Sequence, residues 1–229
     1  MASELIINRI NSLSNPVLGL ATGSTPEGLY QSIIEKYKHG EVSFKHVTSF
    51  NLDEYVGMVV QNPNSYRYFM NEKLFSHVDI PIGHVYIPDG AAKDLKKECV
   101  NYEYAIKRVG GIDIQVLGIG ANGHIGFNEP GTSFSSITHV VNLDESTIQA
   151  NARFFSSIEE VPTQAISMGI KTIMDSKEIL LLVSGGSKAN AVVKLLNGEV
   201  SEEFPASILQ NHEQVTVIVD EMAMSHVED

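Results

Sequence analysis

Residues 112–131 read IDIQVLGIGANGHIGFNEPG, a short apolar run that leads directly into a glycine-rich loop. The apolar part, residues 112–119, has the length and the β-branched content of a buried strand. Similar runs recur along the chain and are separated by longer segments with apolar residues at helical spacing. We predict further strands at residues 16–21, 47–52, 85–88, 165–168, 178–184 and 215–219. This alternation is typical of the α/β class with a mostly parallel central sheet.

The segments between these strands predict helices. One begins at Pro26, a residue favoured in the first helical turn, and others cover residues 66–75, 94–108 and a segment that ends at residue 196. The unusual loops all follow the carboxyl end of a predicted strand. Open parallel sheets bind their ligands at that edge, so we expect the active site there.

Composition and charge limit the possible functions. The chain has 229 residues, 43% of them hydrophobic, with no repeat or linker, which favours one domain over residues 1–229. Its net charge of −12 argues against nucleic acid or an anionic membrane as a partner. Cys99 is the single cysteine, which excludes an internal disulfide framework. Residues 1–9 have no long apolar run, so we expect no secretory signal and a cytoplasmic protein.

Two strand-to-helix loops combine glycine with hydroxyl side chains. The first contains Gly23, Ser24 and Thr25, and the second contains Ser187 and Lys188. Such loops place backbone N–H groups at a helix start, which favours an anion such as phosphate. The alternatives are a plain helix cap by one of the hydroxyls and a solvated lysine.

Arg153 is the candidate for a third phosphate contact. It lies in the stretch ANARFF, and a guanidinium group can bind phosphate through two parallel hydrogen bonds. The alternative is an ordinary ion pair with one of the chain's many acidic residues.

The stretch NLDEYVG places Asp53 and Glu54 at the end of a predicted strand. One of them is a candidate general base in the cleft, and the alternative is that they cap a helix. If the strand continues, its two-residue period sends the two side chains to opposite faces, so only one can serve.

The loop after residue 119 carries the strongest signal for proton transfer. His124 follows the strand end, with Asn122 two residues before it and Glu129 five residues after it. Histidine titrates near neutral pH, and a carboxylate on one ring nitrogen fixes its tautomer. Metal binding is less favoured because the other histidines are scattered and no clustered ligand motif accompanies His124.

Six motifs in order resemble the glucosamine-6-phosphate deaminase (isomerase) family: LGLATGSTPEGLY, SFNLDEYVG, NPNSYRYFM, LGIGANGHIGFNEPGTSF, ANARFF and VSGGSKA. They cover nearly the whole chain. The resemblance implies a Rossmann-like three-layer α/β sandwich that converts D-glucosamine 6-phosphate and water into D-fructose 6-phosphate and ammonia, in amino sugar catabolism. It also implies that no metal or cofactor is needed.

The same resemblance assigns roles to the residues. His124 opens the sugar ring, with Asn122 and Glu129 orienting it, and Asp53 carries the C2 proton to C1. An asparagine at position 122 is expected to accept a hydrogen bond from the imidazole. The phosphate is expected to bind to Gly23, Ser24, Thr25, Arg153, Ser187 and Lys188.

Two features differ from the allosteric members of the family. Those members carry aspartate where Asn122 stands, whereas a shorter form of the family also has asparagine there. The allosteric members also have basic residues in the segment equivalent to 135–143, and this segment offers only His139 here. The sequence also stops at residue 229, before the extension of those members. We therefore expect an unregulated monomer without a second site for N-acetylglucosamine 6-phosphate, and a lid formed by residues 138–163.

Two other functions stay open at this point. A 6-phosphogluconolactonase has the same loops but needs no base at position 53. A non-catalytic sugar-phosphate sensor needs the phosphate loops alone.

Overall fold

The computed structural model describes residues 1–152 and 155–227 and contains two sheets. The strands are β1 (Val17–Leu20), β2 (Thr48–Asn51), β3 (Asp53–Tyr55), β4 (Val85–Tyr86), β5 (Ile114–Leu117), β6 (His139–Asn142), β7 (Gln164–Ser167), β8 (Glu178–Val183) and β9 (Val215–Val219). Six of them form one sheet in the order β4-β2-β1-β5-β8-β9, and every neighbouring pair is parallel. This confirms the predicted parallel central sheet.

Helices flank this sheet, in agreement with the predicted three-layer sandwich. They are α1 (Ala2–Ser12), α2 (Glu27–Lys38), α3 (Tyr66–Lys73), α4 (Leu95–Arg108), α5 (Glu145–Asn151), α6 (Ile170–Met174) and α7 (Ala189–Asn197). The sequence analysis did not predict α1. It placed Pro26 inside the first turn of α2, whereas the helix begins one residue later, at Glu27.

Side-chain caps mark the starts of α3 and α4, and apolar spacing sets the buried side of α4. The Asp94 side chain accepts the Lys97 N–H at the start of α4, and Ser65 accepts the Tyr68 N–H at the start of α3. On α4, Cys99, Tyr102 and Ile106 recur at helical spacing and are buried.

The central strands form the main core. All four residues of β1 and of β5 are buried, as are five of the six residues of β8. A strand covered on both faces is mostly apolar, which explains the apolar runs in the sequence, and Gln115 on β5 is a buried polar exception. Within residues 1–152 and 155–227, no helix combines the length and apolarity that crossing a membrane requires.

The second sheet has three antiparallel strands in the order β3-β7-β6. The sequence analysis predicted β7 without its sheet and did not predict β3, which has only three residues and two carboxylates. Asp53 pairs with Ser167 in this sheet. The chain therefore leaves the main sheet at Leu52 and at once enters the second sheet, which positions Asp53 between the two.

Candidate active site

Four neighbouring strands of the central sheet end beside the predicted site residues. The order β2-β1-β5-β8 places the start of β3, the loop at 21–26, the loop at 118–131 and the turn at 184–188 side by side. All four strands are parallel, so these segments share the carboxyl edge of the sheet. The predicted catalytic and phosphate-binding segments therefore converge on one edge.

Asp53 is buried, with 7% of its surface exposed. Burial, with a smaller contribution from the charge of Glu54, raises the pKa of Asp53 to about 8. Within the described residues, no hydrogen-bond donor contacts its carboxylate. The loop at 118–131 comes close, because a Cβ atom on Gly126 would lie 3.8 Å from Asp53 Oδ2. A buried carboxyl with a pKa near neutrality is suited to accept and return a proton.

Glu54 has a different role from Asp53. Its carboxylate accepts the backbone N–H groups of Tyr55, Tyr66 and Arg67 at 2.9, 3.0 and 3.1 Å, so it caps the start of α3. Burial raises the pKa of Glu54, and these three N–H groups act in the opposite direction. The alternative of a helix-capping acid therefore holds for Glu54, and β3 sends Asp53 to the other face as its two-residue period requires.

His124, Asn122 and Glu129 lie together in the loop at 118–131. His124 Nδ1 lies 3.3 Å from Glu129 Oε2, which is an ion-pair distance. The two atoms are not aligned for a hydrogen bond, so Nδ1 lacks a well-aligned hydrogen bond. Asn122 Nδ2 donates to the same Oε2 at 2.7 Å. Asn122 Oδ1 accepts the backbone N–H of His124 at 3.2 Å.

These contacts correct the predicted role of Asn122. Its amide oxygen accepts from the backbone of His124, not from the imidazole, and its amide nitrogen binds Glu129. The loop turns back within seven residues and brings the Asn122 side chain onto the Glu129 carboxylate. The spacing of the two residues in the sequence does not reveal this contact.

The environment of Glu129 keeps its carboxylate ionised. Burial raises its pKa, but the neighbouring His124 and the hydrogen bonds from Thr147 and Asn122 outweigh burial and lower the pKa to about 2. The loop therefore holds one acidic group ionised beside the histidine, while Asp53 keeps its proton until near neutral pH.

Gly120 allows the His124 ring to lie against the backbone. A Cβ atom at Gly120 would be 2.4 Å from ring atoms of His124, so any side chain there displaces the ring. This close approach explains why the loop requires a glycine at position 120.

The first glycine/hydroxyl loop leaves its hydroxyl groups available. Gly23 has a φ of +95°, a conformation that favours glycine, and α2 has no side-chain cap at its start. Ser24 and Thr25 therefore do not act as the helix cap that was the alternative. Ser24 is exposed and Thr25 half-buried.

The second loop resembles the first in geometry. Gly185 has a φ of +91°, and its N–H donates to the Asp220 carboxylate at 2.9 Å. Ser187 is exposed and Lys188 half-buried in the single turn Gly186–Lys188 before α7, again without a side-chain cap. Arg153, the other predicted phosphate contact, lies outside the described residues.

Sequence reasoning missed two hydroxyl residues. Ser167 Oγ accepts the Phe127 N–H at 3.1 Å and thereby ties the loop at 118–131 to the second sheet. Thr147 on α5 donates to Glu129 Oε1 at 2.5 Å. Neither belongs to a motif, because each reaches the site only through long-range folding.

Two clefts, with volumes of about 600 and 530 Å³, lie away from the candidate site. The first is lined by residues of 103–112 with Thr172 and Asp175, and the second by residues of 37–45 with Asn11 and Asp79. Both lie near segments that precede strands of the central sheet. Neither includes a predicted site residue, so the chemistry of the side chains, and not cleft size, identifies the site.

A statistical model of the family described as glucosamine-6-phosphate isomerases/6-phosphogluconolactonase matches residues 2–218. The chain belongs to this family. A glucosamine-6-phosphate deaminase of Oceanobacillus iheyensis is 63% identical over 227 residues, which cover 99% of this chain and 91% of that protein.

Solved structures of the family agree with this assignment. The structure of a monomeric glucosamine-6-phosphate deaminase is 53% identical, with a TM-score of 0.97 over 98% of this chain and 93% of that one. A 6-phosphogluconolactonase of Thermotoga maritima is 20% identical, with a TM-score of 0.74 over 95% and 94% of the two chains. At that identity the lactonase shares the fold alone.

Proposed function

We propose that this member of the family is a glucosamine-6-phosphate deaminase, which converts D-glucosamine 6-phosphate and water into D-fructose 6-phosphate and ammonia. The observation that carries the proposal is a buried carboxyl of raised pKa, Asp53, at the same sheet edge as the His124–Glu129 pair. The relatives named deaminase, at 63% and 53% identity, support the same substrate.

Ring opening is assigned to His124. The imidazole takes the proton of the anomeric hydroxyl and a proton is delivered to the ring oxygen, which breaks the C1–O5 bond and gives the open-chain aldehyde. Glu129 orients the imidazole for this step, because its carboxylate stays ionised beside Nδ1. Asn122 holds both partners through its amide.

Isomerisation is assigned to Asp53. Its carboxylate takes the proton from C2, the ammonium group on C2 gives up one proton as the aldehyde oxygen gains one, and a neutral enolamine forms. Returning the proton from Asp53 to C1 then gives an iminium at C2. Water hydrolyses the iminium to the ketone and releases ammonia. A cationic amine on C2 favours the ionised form of Asp53, which offsets the effect of burial in the free enzyme. One buried carboxyl that serves both carbons limits exchange with bulk water.

The phosphate is assigned to the two glycine/hydroxyl loops, with Ser24, Thr25, Ser187 and Lys188 as donors and Arg153 as a further one. Gly23 and Gly185 both have a positive φ, and each lies shortly before a helix. Both loops place backbone N–H groups at a helix start, which favours a phosphate between them.

The remaining expectations follow the same proposal. The enzyme acts as one domain and as a monomer, supported by the monomeric deaminase at 53% identity, without a second phosphosugar site and without a cofactor. It acts on amino sugars in the cytoplasm. A 6-phosphogluconolactonase is not favoured, because lactone hydrolysis has no use for a base that faces C2.

The proposal is tested by incubating the purified protein with glucosamine 6-phosphate in a chelating buffer. We expect ammonia and fructose 6-phosphate in equal amounts, unaffected by added N-acetylglucosamine 6-phosphate. Absence of turnover, or faster hydrolysis of 6-phosphogluconolactone, contradicts the proposal.

A lysine variant tests the phosphate assignment in the same assay. Lys188→Ala is expected to raise KM by about 10- to 100-fold with little change in kcat, because it removes a charge-assisted contact from a distant part of the substrate. Lys96→Ala is the matched control, since Lys96 is exposed on α4. An unchanged KM for Lys188→Ala contradicts the assignment.

A further inference from the structure

Helix α5 presents a polar side to the candidate site. Thr147 and Asn151 are four residues apart, so they project from the same side of the helix. The Thr147 hydroxyl donates to Glu129 Oε1 at 2.5 Å, and Asn151 lies close to Tyr55. Ile148 packs against the apolar cluster that contains Tyr55. Helix α5 is therefore joined both to the loop at 118–131 and to β3, the strand that carries Asp53.

The two oxygens of Glu129 have different partners. Oε2 accepts from Asn122 at 2.7 Å and lies 3.3 Å from His124 Nδ1, and both partners belong to the same loop. Oε1 accepts from Thr147, which comes from a different part of the fold. Thr147 is only 6% exposed, so water does not readily replace its hydroxyl. The orientation of the carboxylate is thus set by the loop on one side and by α5 on the other.

We propose that Thr147 is a positioning residue: its hydroxyl holds Glu129 so that Oε2 stays against His124 while the histidine moves protons during ring opening. This inference rests on the proposed function. Without the hydroxyl, Oε1 loses the hydrogen bond that fixes it, and the carboxylate can rotate away from His124. His124 then loses the group that orients it, although His124, Asn122 and Glu129 are all still present.

The kinetic test compares variants that differ by one hydroxyl. Thr147→Val keeps the shape of the side chain and removes the hydroxyl, and Thr147→Ser keeps the hydroxyl. Thr147→Ala paired with Thr147→Ser gives the same comparison if the valine variant folds poorly. Thr216→Val is the matched control, because Thr216 is exposed on β9 and lies outside the segment expected to form the lid.

We expect Thr147→Val and Thr147→Ala to lower kcat by about 10- to 100-fold with KM changed by less than about threefold, since misorientation affects the chemical step more than phosphate binding. Thr147→Ser is expected to retain most of the activity, and Thr216→Val all of it. If the variants without the hydroxyl keep the kcat of the control, or if serine does not rescue, the inference is overturned.

A second readout does not depend on turnover. The carboxyl carbon of Glu129 is followed by NMR from pH 7 down to the onset of acid unfolding, with Glu129→Gln to assign the signal. Removing the Thr147 donor is expected to raise the pKa of Glu129, so protonation begins at a higher pH in Thr147→Val than in the wild type. Identical curves overturn the inference. If the wild type has no deaminase activity, the proposed function fails, and this titration alone decides the contact.

Discussion

Replacing Asp53 by asparagine should separate activity from stability. Asparagine has nearly the same shape but is neutral at every pH, whereas burial raises the pKa of Asp53 to about 8 in the folded protein. An aspartate in the unfolded chain has a pKa of about 3.9. Between these two values the native state holds a proton that the unfolded state has lost, so the stability of the wild type falls as the pH rises.

The size of the effect follows from the two pKa values. Each pH unit in this window removes about 1.4 kcal/mol from the free energy of unfolding, so about 4 kcal/mol is the upper limit at pH 7. Local rearrangement and water entry reduce this value, and we expect about 2–4 kcal/mol. The asparagine variant is free of this loss, so Asp53→Asn should match the wild type near pH 4 and be the more stable protein at pH 7.

Urea unfolding of both proteins at pH 4, 5, 6 and 7 measures the difference, and the steady-state assay at pH 7 measures activity. We expect the stability gain to grow with pH, while turnover falls by at least about 100-fold because the base is absent. The control is Asp175→Asn, since Asp175 is an exposed partner of Lys171 and should show a small, flat difference. A stability difference independent of pH refutes the reasoning, and a fully active variant refutes the assignment of the base.

Two further variants test the local structure. Glu54→Gln is expected to destabilise the protein by about 1–3 kcal/mol in urea, because an amide cannot accept all three backbone N–H groups; an unchanged midpoint argues against the cap. Gly120→Ala should lower kcat by displacing the His124 ring, whereas Gly118→Ala, which meets no atom within 4 Å, should not; equal kcat values for the two contradict the packing described.

The local signals in the sequence predicted the central sheet and the segments of the candidate site. Buried parallel strands are rich in apolar residues, so residues 112–119 and 178–184 are readily recognised as strands. The two glycine/hydroxyl loops and His124 follow directly from such strands. Their convergence then follows from the shared edge of a parallel sheet.

The contacts that the sequence could not predict are those made between distant segments. The strand β3 is too short and polar to be recognised, and it exists because Asp53 pairs with Ser167, more than a hundred residues away in the chain. The contact of Asn122 with Glu129 depends on how the loop at 118–131 turns. Thr147 has no motif around it. The assignment of Glu54 as a cap and Asp53 as the base also needed the orientation of both side chains.

The transfer of a proton by Asp53 from C2 to C1 is tested most directly with glucosamine 6-phosphate that carries deuterium at C2. The purified protein converts it in ordinary water, and NMR of the product measures the deuterium at C1 of fructose 6-phosphate. A buried carboxyl that serves both carbons predicts ammonia release together with a measurable fraction of deuterium at C1. Absence of turnover, or product with all of its deuterium lost to the solvent, would contradict the account.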